Sequence, residues 1–168
     1  MAKKRRKAAV ARRPRLAACR GGLAAGLVLA VVYAVLMMSI TVWGWGGLGQ
    51  GALVVWGAAQ AVLAYGVFCL YRRQRAARWG AVAAVLAMSA VFTFVPPSPF
   101  LGAAFQALAL AGFSLVLYDL QKVLGVPMML PGGLIFLSVI ASLLNSPLMA
   151  FAGLALLALG SALALTRL

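Results

Sequence analysis

Two glutamines in apolar surroundings are the residues whose position most suggests chemistry. Gln60 and Gln106 each lie inside a long uncharged segment of the chain. An amide without a partner is costly in hydrocarbon, so both side chains are expected to face the protein interior. Tyr33 and Ser89 are the polar residues expected near them. Two hypotheses stay open for these four residues: they line a site or narrow path for a small solute at mid-bilayer, or they form interhelical hydrogen bonds that hold a bundle together.

The rest of the residue inventory argues against catalysis. The chain has fifteen Lys and Arg, one acid and no His. Acid–base catalysis, His-ligated haem, catalytic zinc and acidic Mg²⁺ sites all need side chains that this sequence lacks. Phosphate-binding glycine loops are also absent from the sequence. We therefore predict a protein that is not an enzyme and that holds no cofactor and no metal.

The single acid and the two cysteines are expected at the edges of the membrane. Asp119 precedes Lys122 by three residues, so the two side chains are within ion-pair reach if a helix continues through them. Cys19 lies beside a basic N-terminal segment, and Cys69 lies near the end of the second apolar segment. Both fall on the side assigned below to the cytoplasm, where thiols stay reduced, so no structural disulfide is expected.

The composition predicts the elements that must position these residues. The chain has 168 residues, is 65% hydrophobic and only 10% charged, and has a mean hydropathy of +1.07. A soluble domain has about a quarter charged residues, so bilayer hydrocarbon is the solvent that suits this chain. We predict an all-α, polytopic transmembrane helical bundle of six spans, because about 20 apolar residues cross the hydrocarbon. The spans are expected at 21–43, 51–71, 79–95, 100–118, 127–144 and 148–166.

The distribution of Lys and Arg predicts the orientation of these spans. Nine of the fifteen lie in the first twenty residues, and the others lie in alternate loops or at the C-terminus. Positive charges resist translocation, so both termini are expected in the cytoplasm of a multi-pass protein of the cell (plasma) membrane. The chain then divides into a basic cytoplasmic arm, 1–20, and a six-helix transmembrane domain, 21–168.

The basic arm is a candidate contact for anionic lipid of the inner leaflet. An alternative is that it only anchors the topology. Nucleic acid is not an expected partner, because no aromatic residues interleave the charges and no nucleic-acid-binding fold accompanies them. No cleaved signal is expected, since arginines rather than an apolar segment precede Cys19. The candidate lipid-contact residues are Lys3, Lys4, Arg5, Arg6, Lys7, Arg12, Arg13 and Arg15.

Small residues recur every four positions along the first span. Residues four apart share one face of a helix, so this spacing predicts a smooth face that another backbone can approach closely. The face packs against the protein's own helices, or it is presented to a partner subunit or a second copy. Both hypotheses stay open. The residues concerned are Gly22, Gly26, Ala30 and Ala34, with Ala18 before them.

Two further patterns leave alternatives open. Pro127 and Pro131 bracket the start of span five, which is either one helix with a mild kink or an interfacial, re-entrant stretch over 126–133 followed by a short helix. The pattern A-x-Q/L-A-x4-G begins at Ala58, Ala104 and Ala152. It indicates three tandem helical-hairpin repeats, or it is a chance match in a chain dominated by Ala and Leu.

Two functions follow from this sequence, and a third is less favoured. The first is a non-catalytic accessory or structural subunit of a larger membrane complex, with a protein partner or further copies of itself in the membrane. The alternative is a small-solute transporter or channel, or the substrate-binding component of an uptake system, with a polar site at mid-bilayer. The third is a membrane-surface tether that acts through its arm.

Overall fold

The computed structural model describes the backbone of the chain except for Met1, Trp45, Pro96, Pro97 and Asn145. Side chains are described from Cys19 onward, apart from those residues and Gly46, Pro99, Val123 and Leu124. The described part of the chain is all-helical, as predicted. Its α-helices are α1 (Ala2–Trp43), α2 (Gly49–Gln74), α3 (Ala77–Phe94), α4 (Pro99–Leu124), α5 (Met129–Leu143) and α6 (Pro147–Arg167).

Five of these helices are long and apolar enough to cross a membrane, namely all except α5. The predicted spans lie within or close to the helices, although α1 begins well before residue 21 and α4 continues past residue 118 to Leu124. Large apolar side chains such as Val91, Leu115 and Leu159 are exposed on the outside of the bundle. This arrangement is typical of a multi-pass membrane protein.

Helix α5 is the short one, with 15 residues. At 1.5 Å per residue it is about 22 Å long, less than the roughly 30 Å of bilayer hydrocarbon. The preceding residues 125–128 are not helical. Pro131 is the third residue of α5, where the backbone amide has no partner within the helix in any case, so this proline starts the helix rather than kinking it.

Local sequence signals explain where α4 starts and stops. The Leu101 amide donates a hydrogen bond of 3.2 Å to the Ser98 hydroxyl, and Pro99 occupies the first turn. At the other end Gly125 adopts a left-handed φ of 67°, and its amide donates to the Gln121 carbonyl at 2.9 Å. Glycine has no Cβ to oppose this conformation, so α4 ends cleanly there.

The six helices form a closed ring. Each helix packs against its neighbours along the chain, and α1 also packs against α6. Short connections make consecutive helices antiparallel, so the turns alternate between two ends of the bundle. We call one end the basic end, because it carries Arg72, Arg73, Arg75, Arg78, Lys122 and Arg167. The opposite end, which includes the described residues Gly44, Val95, Ser98, Leu144 and Ser146, is the uncharged end.

The small-residue face of α1 lies against α2 of the same chain. Gly26 and Gly22 are buried or half-buried, and Ala30 and Ala34 are almost fully buried. A Cβ added to Gly26 would lie 2.6 Å from Cγ of Leu63 in α2. The predicted helix-packing face therefore lies within the chain, as the first of the two hypotheses for it required.

The expectation of no disulfide is wrong in this structure. Cys19 of α1 and Cys69 of α2 form a disulfide, with their Cα atoms 5.5 Å apart. The close approach of the two helices at the neighbouring glycines is the physical reason, because it brings two residues 50 positions apart within bonding distance. The expectation considered only the redox state of the predicted compartment and not this packing.

Candidate functional site

A cavity of about 230 Å³ lies in the half of the bundle nearest the uncharged end. Tyr33 is ten residues before Trp43, the last residue of α1, which corresponds to a depth of about 15 Å. The cavity therefore extends to about half the thickness of the hydrocarbon. It is lined by Tyr33 of α1, Trp56 of α2, Ala103, Gln106, Ala107 and Leu110 of α4, Ser138, Val139, Ser142 and Leu143 of α5, and Gly153, Leu154 and Leu157 of α6.

An aromatic pair forms one wall of this cavity. The rings of Tyr33 and Trp56 are stacked, with centroids 4.6 Å apart and planes 25° apart. Trp56 is only 3% exposed, so its ring is held by the surrounding core. The pair joins α1 to α2 and presents a fixed aromatic surface to the cavity.

Three polar side chains face the cavity from the opposite side. The Ser142 hydroxyl donates a hydrogen bond of 2.8 Å to the Ser138 carbonyl, and the Ser138 hydroxyl donates one of 2.6 Å to the Ile135 carbonyl. Both hydroxyls keep lone pairs that can accept a hydrogen bond. Within the described part of the chain, no hydrogen bond occupies the amide of Gln106. This amide can therefore donate to and accept from a molecule in the cavity.

Close packing of α5 and α6 brings the two serines to the cavity wall. A Cβ added to Gly153 of α6 would lie 2.8 Å from the Ser142 hydroxyl oxygen and 3.1 Å from the Ser138 carbonyl oxygen. The absence of a side chain at Gly153 lets the serine-bearing face of α5 approach α6. Any larger residue at Gly153 would push this wall outward.

A second polar cluster lies between α2 and α3, apart from the residues that line the cavity. The Thr93 hydroxyl lies 2.9 Å from the Ser89 carbonyl oxygen and 3.3 Å from the Gln60 side-chain oxygen, and its one hydrogen can be donated to either. Gln60 is 1% exposed and Ser89 is fully buried. The Gln60 amide nitrogen and the Ser89 hydroxyl have no partner in the described part of the chain.

The four residues predicted to share one polar site thus fall into two places. Tyr33 and Gln106 line the cavity, whereas Gln60 and Ser89 belong to the cluster between α2 and α3. Ser138, Ser142 and Trp56 were missed by the sequence reasoning. The two serines are spaced four apart on an otherwise apolar helix, and this spacing is a signal that could have identified them.

The lone acid has a different partner from the one predicted. Asp119 is 7% exposed, and its carboxylate lies 2.8 Å from Nε of Arg78 and accepts a hydrogen bond of 3.3 Å from Nε1 of Trp79. Lys122 instead lies over the Tyr118 ring, 4.9 Å from its centroid. Helix α4 does continue through both residues, but Asp119 faces α3 inside the bundle, so the expected pairing of Asp119 with Lys122 is wrong.

The remaining predicted contacts concern the basic arm. Its backbone forms the first part of α1, and the eight side chains proposed to contact lipid, from Lys3 to Arg15, lie outside the described side chains.

Among the described residues, no group of three or more His, Cys, Asp or Glu is placed to hold a metal ion. None of the described residues lining the cavity is charged. The lining can therefore contact a bound molecule through apolar surfaces and neutral hydrogen-bonding groups.

Comparison of the chain with protein-family models, with curated proteins and with solved structures finds no match.

Proposed function

We propose that this protein binds a small uncharged solute in the cavity and acts as a small-solute transporter or channel, or as the solute-binding component of an uptake system. The observation that carries the proposal is the Gln106 amide, which lies in the wall of a cavity of about 230 Å³ and has no hydrogen-bond partner among the described residues. Ligand sites are concave and mostly apolar, with a few convergent polar groups. The lining has this composition, and its depth suits a solute on its way across a membrane.

The role of accessory subunit stays a prediction, and it has less support than it had from the sequence alone. That prediction depended partly on the small-residue face of α1 being free to bind a partner. Gly22 and Gly26 of that face pack against α2, and Ala30 and Ala34 are buried inside the chain. The basic arm and the small extramembrane mass remain compatible with a partner, but neither supplies a defined surface for one.

We further propose that the basic end lies in the cytoplasm and that the protein resides in the cell membrane. The support is the placement of all described Lys and Arg side chains, from Arg20 to Arg167, at one end of the bundle. Positive charges at that end favour its retention on the cytoplasmic side. The disulfide near that end is protected from cytoplasmic reductants, because Cys19 is fully buried inside the bundle. The cavity would then lie in the outer half of the membrane.

Three tandem hairpins are also part of this proposal. The glycine that closes the repeated sequence pattern packs, in each case, against the helix that precedes its own. A Cβ added to Gly66 would lie 3.0 Å from Cγ of Leu23, one added to Gly112 would lie 3.1 Å from Cγ2 of Val82, and one added to Gly160 would lie 2.9 Å from Cγ1 of Ile135. This shared packing supports common descent of the pairs α1–α2, α3–α4 and α5–α6.

The two glutamines supply a matched pair of variants to test the function. Purified protein in detergent would be unfolded by heat in the presence of single polyols, amides, heterocycles and amino acids. A ligand at about 100 times its Kd stabilises the folded state by roughly 2.7 kcal/mol, which is a measurable rise in Tm. We expect an uncharged solute to raise the Tm of wild type and of Gln60→Leu, but not that of Gln106→Leu.

Two results would count against the proposal. One is that no uncharged solute raises the Tm of the wild-type protein. The other is that a solute raises the Tm of Gln106→Leu as much as that of wild type, since binding would then take place elsewhere. Because Gln60 lies outside the cavity lining, its variant controls for a general effect of removing an amide from the membrane.

A further inference from the structure

The lining of the cavity specifies the charge of its ligand. None of the described lining residues is charged, and Arg78, Asp119 and Lys122 lie at the basic end. An ion that entered the cavity would lose its hydration without gaining a counter-charge, which is strongly unfavourable in a low-dielectric interior. The ligand is therefore neutral.

The aromatic wall specifies the shape of the ligand. The half-buried Tyr33 ring lines the cavity, and it is held in place by the almost fully buried Trp56, on which it stacks. Planar π-systems gain from offset or edge-to-face contact with such rings. Leu154, Leu157 and the small residues Ala103 and Ala107 supply the apolar part of the lining. A planar ring makes more contact with an aromatic face than a flexible chain does.

The polar side chains in the lining determine which hydrogen bonds a ligand can form. The hydroxyl hydrogens of Ser138 and Ser142 are engaged by carbonyls of α5, so these serines act as acceptors towards the cavity. The Gln106 amide presents a donor and an acceptor side by side and has no partner among the described residues. A primary amide of this kind pairs with an edge that also offers a donor beside an acceptor. A ring N–H next to a carbonyl is such an edge.

The volume of the cavity suits a ligand with a single ring. A dry cavity of about 150 Å³ holds benzene. The cavity here, at about 230 Å³, has room for one six-membered ring with small substituents. Fused polycyclic molecules and disaccharides exceed this space.

We infer that the solute is a neutral, planar, single-ring heterocycle that carries a ring N–H beside a carbonyl. The ring stacks on the wall formed by Tyr33 and Trp56, and its N–H/carbonyl edge pairs with the Gln106 amide. Any further N–H donates to Ser138 or Ser142. This inference rests on the proposed function, and it narrows the uncharged solute to one chemical class.

Uracil is the probe for this inference, with two comparison solutes. The compound 1,3-dimethyluracil keeps the ring and both carbonyls but has no N–H, and glycerol is neutral and hydrogen-bonding but not planar. Equilibrium dialysis against the purified full chain measures each Kd, with tryptophan fluorescence as a second readout. We expect uracil to bind saturably and 1,3-dimethyluracil to bind about tenfold more weakly or worse. Gln106→Leu should weaken uracil binding by a similar factor, and Trp56→Leu should weaken both heterocycles.

The outcomes separate this inference from the proposed function. Tight binding of glycerol that depends on Gln106, with no binding of uracil, would overturn the heterocycle and leave the solute-binding function standing. Equal affinity for uracil and its dimethyl derivative would overturn the pairing with Gln106. If neither heterocycle binds and no uncharged solute raises the Tm in the wider panel, both the inference and the function are wrong. Gln60→Leu is the control, because it should bind uracil as the wild type does.

Discussion

Gly22 and Gly66 face each other so closely across α1 and α2 that a Cβ added to Gly22 would lie 3.3 Å from the Gly66 Cα. The disulfide between Cys19 and Cys69 lies one turn towards the basic end, and the Tyr33–Trp56 stack lies towards the uncharged end. Along these three pairs the residue numbers rise on α1 and fall on α2, so all three share one antiparallel register. The helix contact at the glycines therefore fixes the position of the aromatic wall of the cavity.

We expect Gly66→Ala to destabilise the protein. The new Cβ would lie 2.9 Å from the backbone nitrogen of Leu23, and backbone cannot move aside as a flexible side chain can. Overpacking of this kind costs about 1–3 kcal/mol. Thermal unfolding in detergent measures the loss. Gly21→Ala is the matched control, because a Cβ there meets nothing within 4 Å. Equal stability of the two variants would refute the close approach of α1 and α2.

The disulfide should be detectable and stabilising. Denatured, unreduced protein should contain no thiol that reacts with a maleimide, and reduction should release two. The double variant Cys19→Ser/Cys69→Ser should lose about 2–4 kcal/mol, because the bond restricts the unfolded chain. Wild-type protein unfolded with a reductant present should behave like the double variant. Two reactive thiols in unreduced protein from native membranes would contradict the pairing.

Loss of the acid should cost more than loss of the neighbouring lysine. Asp119→Leu leaves the Trp79 indole N–H buried without its acceptor, and an unsatisfied buried donor costs about 1–3 kcal/mol. The Arg78 side chain is 68% exposed, so its lost ion pair adds little. Lys122→Leu removes an exposed charge and should change the stability far less. Chemical or thermal unfolding of the two variants makes the comparison, and a larger effect at Lys122 would exclude the assignment of Asp119 to the interior.

Gln60→Leu should leave the stability unchanged or raise it by up to about 1 kcal/mol. Its amide nitrogen is buried and has no partner among the described residues, and the Thr93 hydroxyl keeps the Ser89 carbonyl as an acceptor. Replacing the amide with an apolar group of similar size removes an unsatisfied donor. The unfolding midpoint measures the change. A loss of more than about 2 kcal/mol would show instead that Gln60 is an important interhelical contact.

The proposed orientation predicts a labelling pattern. In a Cys19→Ser/Cys69→Ser background, a cysteine at Gly47 should react with a membrane-impermeant maleimide in intact cells. A cysteine at Gln74, which is exposed at the basic end, should react only after the membrane is permeabilised. The opposite pattern would place the basic end outside the cytoplasm.

Much of the helical architecture could be predicted from the sequence. The length of each apolar segment and the residues that start a helix are local features, which do not depend on contacts with distant segments. The Ser98–Pro99 and Ser146–Pro147 pairs start α4 and α6, and Gly125 ends α4. Which face of a helix meets which neighbour depends on packing between distant segments. For that reason the sequence did not reveal that Gln60 and Gln106 lie in different places, that Asp119 faces Arg78, or that Cys19 reaches Cys69.

The short α5 has a consequence for how a solute reaches the cavity. At about 22 Å, the helix creates a hydrophobic mismatch with a bilayer of roughly 30 Å. Bilayers accommodate a short segment by thinning locally, which draws headgroups and water inward. The C-terminal end of α5 carries Ser142 and Leu143, both in the cavity wall. Lipid that thins beside α5 would therefore lie next to this wall of the cavity, and it would shorten the hydrocarbon barrier between bulk water and the bound solute there.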